Sequence, residues 1–187
     1  MSRYFQLKSY LTYWLDAVNI HSLQSPFVYE LYRSVIDKNR RTHPDPNIEK
    51  IREKFKASTN SIEVQDFGSG SRRVKGKTRH ITDVASYGIS AGKYSQIMRG
   101  LIRYMKCNNI IDLGTSLGIN ALYLSKDMDS TVFTFEGSPS LANIASEVLA
   151  DQRKNVTVIE GNIDNTLPSI LEEAKPIDFA FIAANHR

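Results

Sequence analysis

The stretch Asp112-Leu113-Gly114-Thr115-Ser116-Leu117-Gly118 puts an acid, two hydroxyl residues and two glycines into seven positions. In a turn between a strand and a helix, glycines let backbone come close to a ligand, and the helix start offers free N–H groups. The glycines are spaced G-x-x-x-G rather than in the G-x-G-x-x-G of a dinucleotide fingerprint. Asp112, two positions before the first glycine, would repel a pyrophosphate but can pair with a cation such as an amino group. Glu136, 22 residues past Gly114 and followed by Gly137, closes an apolar run. A carboxylate at such a strand end can accept two hydrogen bonds from a ribose diol. The next apolar run ends at Glu160-Gly161-Asn162-Ile163, where Asn162 suits an adenine amino group and Ile163 the adenine ring.

These residues need a scaffold, and the pattern after residue 107 supplies one. Short apolar runs at 110–113, 132–135, 156–159 and 177–182 read as strands. Between them, 119–125, 139–153 and 167–174 read as helices. Strands alternating with helices predict a parallel α/β sheet with right-handed crossovers. Before residue 107 the reading is mainly helical: 3–20, 26–37 after a Ser25 cap and Pro26, 47–55, 81–87 and 92–105, with one short strand at 62–64. Two regions follow, 1–106 as a helical, lid-like substrate region and 107–187 as a cofactor-binding unit.

In register, the turn, the acid on the second strand and the polar–apolar pair on the third resemble the class I S-adenosylmethionine-dependent methyltransferases, in their small-molecule O-methyltransferase-like branch. The resemblance covers residues 108–187. It implies a Rossmann-like sheet holding strands 1–4 of the family's usual seven, in the order 3-2-1-4, with the N-terminal helical part as an appendage. It implies S-adenosylmethionine as cofactor and a small-molecule methyl acceptor. By the same resemblance Asp112 would hold the methionine amino group, and Gly114, Thr115, Ser116 and Gly118 would wrap the methionine moiety. Asn120 would reach the methionine carboxylate, Glu136 with Gly137 would bind the ribose, and Asn162 and Ile163 would frame the adenine. Methyl transfer to an aligned acceptor draws on proximity and desolvation, so no catalytic residue need stand out, and none does.

Two departures from the family pattern matter. Where metal-dependent relatives end the fourth strand in an Asp, this sequence has Ala183, which offers no oxygen to a hard cation, so no metal is expected. His186 beside it reads as incidental. The sequence also stops at the fourth strand, which predicts a truncated sheet whose last strand is an open edge. The alternative reading is therefore a catalytically incompetent fragment or interaction module that completes its sheet with another chain, with a homo-oligomer through that edge as one form.

Composition narrows the rest. Of 187 residues, 41% are hydrophobic, enough for a packed core. One cysteine excludes a disulfide framework, and Cys107 reads as a small buried residue. No apolar run approaches the roughly 20 residues that span a bilayer, and the start lacks a signal peptide's apolar block, so a cytoplasmic protein is expected. The net charge of +4 hides two unlike halves: residues 1–106 carry +10 and residues 107–187 carry −6. The basic run 72–79 is a conceivable phosphate contact, but a solvated loop is the expectation and nucleic acid is not the expected partner. Asp66-Phe67-Gly68-Ser69-Gly70 mimics the glycine turn but lacks an apolar-periodic helix after it, so it reads as a structural turn. His21 and Ser22 read as turn residues. The N-terminal aromatics Tyr4, Phe5, Tyr10, Tyr13, Trp14, Phe27, Tyr29 and Tyr32 are expected in core and lid packing rather than as base-stacking platforms.

Overall fold

The computed structural model describes residues 3–17, 20–65, 76–126, 129–152, 155–173 and 176–183. The candidate turn at 66–70, residues 72–75 of the basic run 72–79, and His186 lie outside them.

The N-terminal part is helical, as its periodicity predicts. Helix α1 spans Arg3–Asp16. Helix α2, Pro26–Leu31, starts where Pro26 supplies a preset φ and the Ser25 hydroxyl accepts the Val28 N–H at 3.4 Å. It runs on through a π-helical segment, Tyr32–Asp37, into α3, Lys38–Arg41, and so exceeds its expected length. Helix α4, Pro46–Lys56, is capped by Asp45, whose Oδ1 accepts the Asn47 and Ile48 N–H groups at 3.0 and 3.3 Å. Strand β1, Ser61–Glu63, pairs antiparallel with β2, Thr78–His80. Residues 78 and 79, the end of the basic run expected as a loop, are instead in β2 through their pairing with β1. Helices α5, Ile81–Tyr87, and α6, Gly92–Met105, complete this part.

The second part is the parallel sheet. Strands β3 (Asn109–Leu113), β4 (Thr131–Glu136), β5 (Val156–Glu160) and β6 (Phe179–Ile182) alternate with α7 (Ile119–Leu124), α8 (Pro139–Gln152) and α9 (Ile163–Glu173). The order is β5-β4-β3-β6 and every pairing is parallel, the 3-2-1-4 arrangement expected from the sequence. Helix α9 begins four residues earlier than expected. Pro168 lies in its second turn and removes only one ladder bond.

Ile110 and Val132 are fully buried and pack with Ile102 of α6, Leu124 of α7 and Cys107. A larger cluster joins Ile48, Ile81 and Val84 to Leu117, Leu122, Leu141, Ala145 and Leu149, so apolar side chains from both sides of residue 106 share it. Burial of this kind stabilises by about 25 cal/mol per Å² of apolar surface. A polar network crosses the same junction. The Tyr123 hydroxyl donates to Glu49 Oε1 at 2.8 Å and accepts the Asp45 N–H at 3.1 Å. Buried Arg52 donates to Ser90 O and pairs with Glu49, while Lys126 and Asp45 are hydrogen-bonded. Burial pushes the Tyr123 hydroxyl's pKa up, and the Glu49 carboxylate adds to the shift. Burial would raise the pKa of Asp45, but Lys126 and the capped N–H groups outweigh it and hold the carboxyl below its usual range.

One expectation fails here. The aromatics of α1 are not in a core: Tyr4, Phe5, Tyr10, Tyr13 and Trp14 are all exposed, as is Phe27 in α2. A helical stripe identifies a face, not its partner. Tyr29 and Tyr32 are half-buried. Cys107 is buried, as expected.

Candidate cofactor site

The site lies where β3, β4 and β5 end. A right-handed parallel unit brings these ends side by side, and the backbone ties them together. Phe135 O accepts the Gly114 and Thr115 N–H groups at 2.9 and 3.0 Å, and Glu136 O accepts the Gly161 N–H at 2.9 Å. The turn after β3 needs left-handed backbone at three places: Gly114 (φ 107°), Ser116 (φ 51°) and Gly118 (φ 79°). Glycine adopts this freely, whereas Ser116 is strained, a condition that clusters at ligand clamps. At Gly118 an added Cβ would also stand 3.4 Å from Ala145 of α8.

Glu136 is held at the lip of the site. Its Oε2 accepts the Ser116 N–H at 2.8 Å and its Oε1 accepts the Ser138 N–H at 3.0 Å. The turn and the second strand's acid, separate in sequence, are thus one hydrogen-bonded unit.

Asp112 lies behind the turn. Its side chain has no exposed surface. Oδ2 accepts from Thr134 Oγ1 at 2.8 Å, and Oδ1 accepts from Asn120 Nδ2 at 3.1 Å. Thr134 spends its one proton on Asp112, so the 2.6 Å contact between Thr115 and Thr134 runs from the Thr115 hydroxyl. Burial pushes the Asp112 carboxyl up to about 7; the hydrogen bonds from Thr134 and Asn120 oppose this and the nearby charge of Glu136 adds to it. With Nδ2 committed to Asp112, Asn120 Oδ1 is left buried and without a hydrogen-bond partner. A buried orphan acceptor is costly and is relieved by a donor supplied from outside.

The remaining predicted residues fall on the same rim. Gly137 follows Glu136 and is half-buried. Asn162 starts α9: its backbone O accepts the Thr166 N–H at 3.0 Å and its Oδ1 accepts the Asp164 N–H at 3.1 Å. Ile163, the first residue of α9, is half-buried. The structure therefore gathers all ten predicted residues around three strand ends. Asp112, Thr115, Gly118 and Asn120 are enclosed, while Gly114, Ser116, Glu136, Gly137, Asn162 and Ile163 are partly exposed. Sequence reading missed Thr134 and Ser138, both fully buried and bonded to the two carboxylates. The signal for Thr134 was the strand register, which sets it beside Asp112.

Two carboxylates and a buried amide oxygen make a site of acceptors. It suits a ligand that brings a cation and hydroxyl donors. Ala183 continues β6, its N–H donating to Leu113 O at 2.8 Å, and its side chain offers no ligand atom. No group of three or more His, Cys, Asp or Glu able to hold a metal ion occurs among the described residues. No described helix is long and apolar enough to cross a membrane.

No protein-family model matches the sequence, and no curated protein is significantly similar to it. Solved structures are similar. SAH-bound methyltransferase PaMTH1 of Podospora anserina shares 19% identity over 88% of this chain and 62% of its own, at a TM-score of 0.58. An O-methyltransferase from Bacillus cereus in complex with SAH shares 18% over 82% and 63%, at 0.57. The O-methyltransferase TomG of Streptomyces achromogenes, in complex with SAM, shares 17% over 82% and 60%, at 0.55. The fold is thus that of class I S-adenosylmethionine-dependent methyltransferases, and the chain spans about three fifths of the length of these structures.

Proposed function

We propose that this chain binds S-adenosylmethionine and forms the cofactor-binding part of a methyltransferase acting on a small-molecule acceptor in the cytoplasm. The observation that carries the reading is the joint placement of the Glu136 carboxylate, fixed by the Ser116 and Ser138 N–H groups, and the orphan acceptor Asn120 Oδ1 beside buried Asp112. Glu136 with Gly137 would receive the ribose hydroxyls. Gly114, Thr115, Ser116 and Gly118 would line the methionine moiety, and Asn162 with Ile163 would frame the adenine. Asn120 would offer Oδ1 to a donor of the methionine end. Asp112, enclosed as it is, acts by fixing the Asn120 amide and by its charge. The cofactor supplies an electrophilic methyl group for in-line transfer; the chain's own task is to orient it and exclude water. Ala183 leaves the end of β6 without a carboxylate, so no metal is assigned. Residues 1–106 would serve as the lid over the acceptor side.

Isothermal calorimetry with S-adenosylhomocysteine tests this reading. Glu136→Gln replaces one acceptor oxygen with a donor and unpairs a backbone N–H, which should weaken binding by about 1.5–3 kcal/mol, on the order of 10- to 100-fold. A folded protein that binds neither S-adenosylmethionine nor S-adenosylhomocysteine would sink the proposal.

One observation favours a second reading. Among the described residues β6 pairs only with β3, leaving its other edge open. A methyltransferase-like module without turnover, completing its sheet with another chain, would bind the cofactor yet methylate no acceptor.

A further inference from the structure

Helix α1 carries apolar side chains at Tyr4, Leu7, Leu11 and Trp14, flanked by Tyr10 and Leu15. Steps of three, four and three residues form the seam along which one helix packs against another. On α1 this seam faces solvent: Tyr4 is 75% exposed, Leu7 59%, Leu11 48% and Trp14 65%. None of residues 4–16 is buried, and none belongs to either core cluster.

The order along the seam is aromatic, aliphatic, aliphatic, aromatic, which is the same in both directions. A second copy laid antiparallel about a two-fold axis midway between Leu7 and Leu11 sets Tyr4 against Trp14 of the second copy and Leu7 against Leu11 of the second copy. Each contact recurs with the roles exchanged, as an isologous interface requires. At about 150–250 Å² per aromatic side chain, the exposed fractions of the six stripe residues leave on the order of 700 Å² of apolar surface. A stable interface takes about 800 Å² from each partner. The other side of α1 holds Lys8, Ser9, Thr12 and Asp16 together with exposed Phe5 and Tyr13, not the Lys- and Arg-rich face of a helix that lies on a membrane. We propose that α1 is a homodimerisation helix that pairs antiparallel with α1 of a second copy of this chain. The proposal stands apart from cofactor binding.

Trp14 is the only tryptophan in the chain, so its fluorescence reports on the seam directly. Sedimentation of the intact chain over about 1 to 100 μM should show a monomer–dimer equilibrium governed by mass action, with Trp14 emission moving to the blue over the same range. Leu7→Asp with Leu11→Asp places carboxylates in the seam and should raise the dimer dissociation constant at least about tenfold. The far-UV circular dichroism and the unfolding midpoint of the folded core should stay as they are, since α1 lies outside it. A Tyr4→Cys protein mixed with a Trp14→Cys protein should form the mixed disulfide in preference to either homodisulfide, which a parallel pair would not. The proposal is overturned by a chain that stays monomeric throughout, whether Trp14 emission is red, or blue at every concentration because another segment of the chain covers it. It is equally overturned by a dimer that survives Leu7→Asp/Leu11→Asp but dissolves with Ile182→Lys, which would lie at the sheet edge. Recruitment of a monomer to zwitterionic vesicles with a blue shift of Trp14 would assign the stripe to lipid and overturn it too.

Discussion

Asp112 is the residue whose chemistry depends most on its surroundings. Its carboxyl is carried from an ordinary value of 3.8 up to about 7 by burial, with Thr134 and Asn120 holding against the rise and Glu136 adding to it. The unfolded chain releases this proton above pH 3.8, while the folded chain keeps it to about 7. Folding therefore binds a proton between those values, and stability falls as pH rises through that window, by at most about 1.4 kcal/mol per pH unit. Asp112→Asn removes the titration. The stability difference between wild type and variant, from urea unfolding at pH 5 and pH 8, should shift toward the variant at the higher pH. A difference that is the same at both would show that Asp112 titrates normally. On the proposed function, a cationic ligand draws out the charged carboxylate, so calorimetric affinity for S-adenosylmethionine should weaken as pH drops below about 7. Asp112 and Glu136 were legible from sequence as candidates, because type and spacing expose an acid before a glycine turn and an acid at a strand end, whereas Asn120 came only through the family resemblance. The enclosure of Asp112 was not legible, since it depends on Thr134 lying beside it across the β3–β4 pairing.

At the scale of elements, the legible part is what local pattern dictates. Four apolar runs separated by helices give four parallel strands in the expected order, and Ser25-Pro26 announces α2 through cap and fixed φ. The π-helical turn at Tyr32–Asp37 has no sequence signature of its own, and β2 exists through its partner strand. The junction of α4, α6 and α7 was illegible for the same reason: its polar groups lie far apart in the chain. Tyr123 joins α7 to Glu49 and to the Asp45 backbone, and an added Cβ on Gly92 of α6 would stand 2.5 Å from the same Glu49 carboxylate. Tyr123→Phe keeps the ring in the core but leaves the half-buried Asp45 N–H without its acceptor and takes one donor from Glu49, which keeps Arg52. It should cost about 1–3 kcal/mol, read as a lower urea midpoint at unchanged slope. A loss within about 0.5 kcal/mol would mean that Asp45 and Glu49 find other partners, and that the network does not tie the two parts of the chain together.

For the molecule as a whole, two apolar features of the described surface stand at different places in the chain, α1 before the core and β6 at the side of the sheet. Strand β6 alternates half-buried Phe179 and Phe181 with exposed Ala180 and Ile182, the last 60% exposed. In the parallel sheets of this class both faces are covered, so a half-open strand with one unpaired edge is a template for pairing or aggregation. The chain spans about three fifths of the length of the structures it matches. Ile182→Lys adds to this edge a charge of the kind natural edges carry. It should slow concentration-dependent aggregation, followed by light scattering on warming, while shifting stability by no more than about 0.5 kcal/mol, because the side chain contributes little to the core. Faster or equal aggregation would show that β6 is already covered and would move the weight of the surface argument to α1, whose seam is disrupted by different substitutions. Tested in one background, the two variants separate association through the sheet from association through the helix, since the residues they change lie on different elements, β6 and α1.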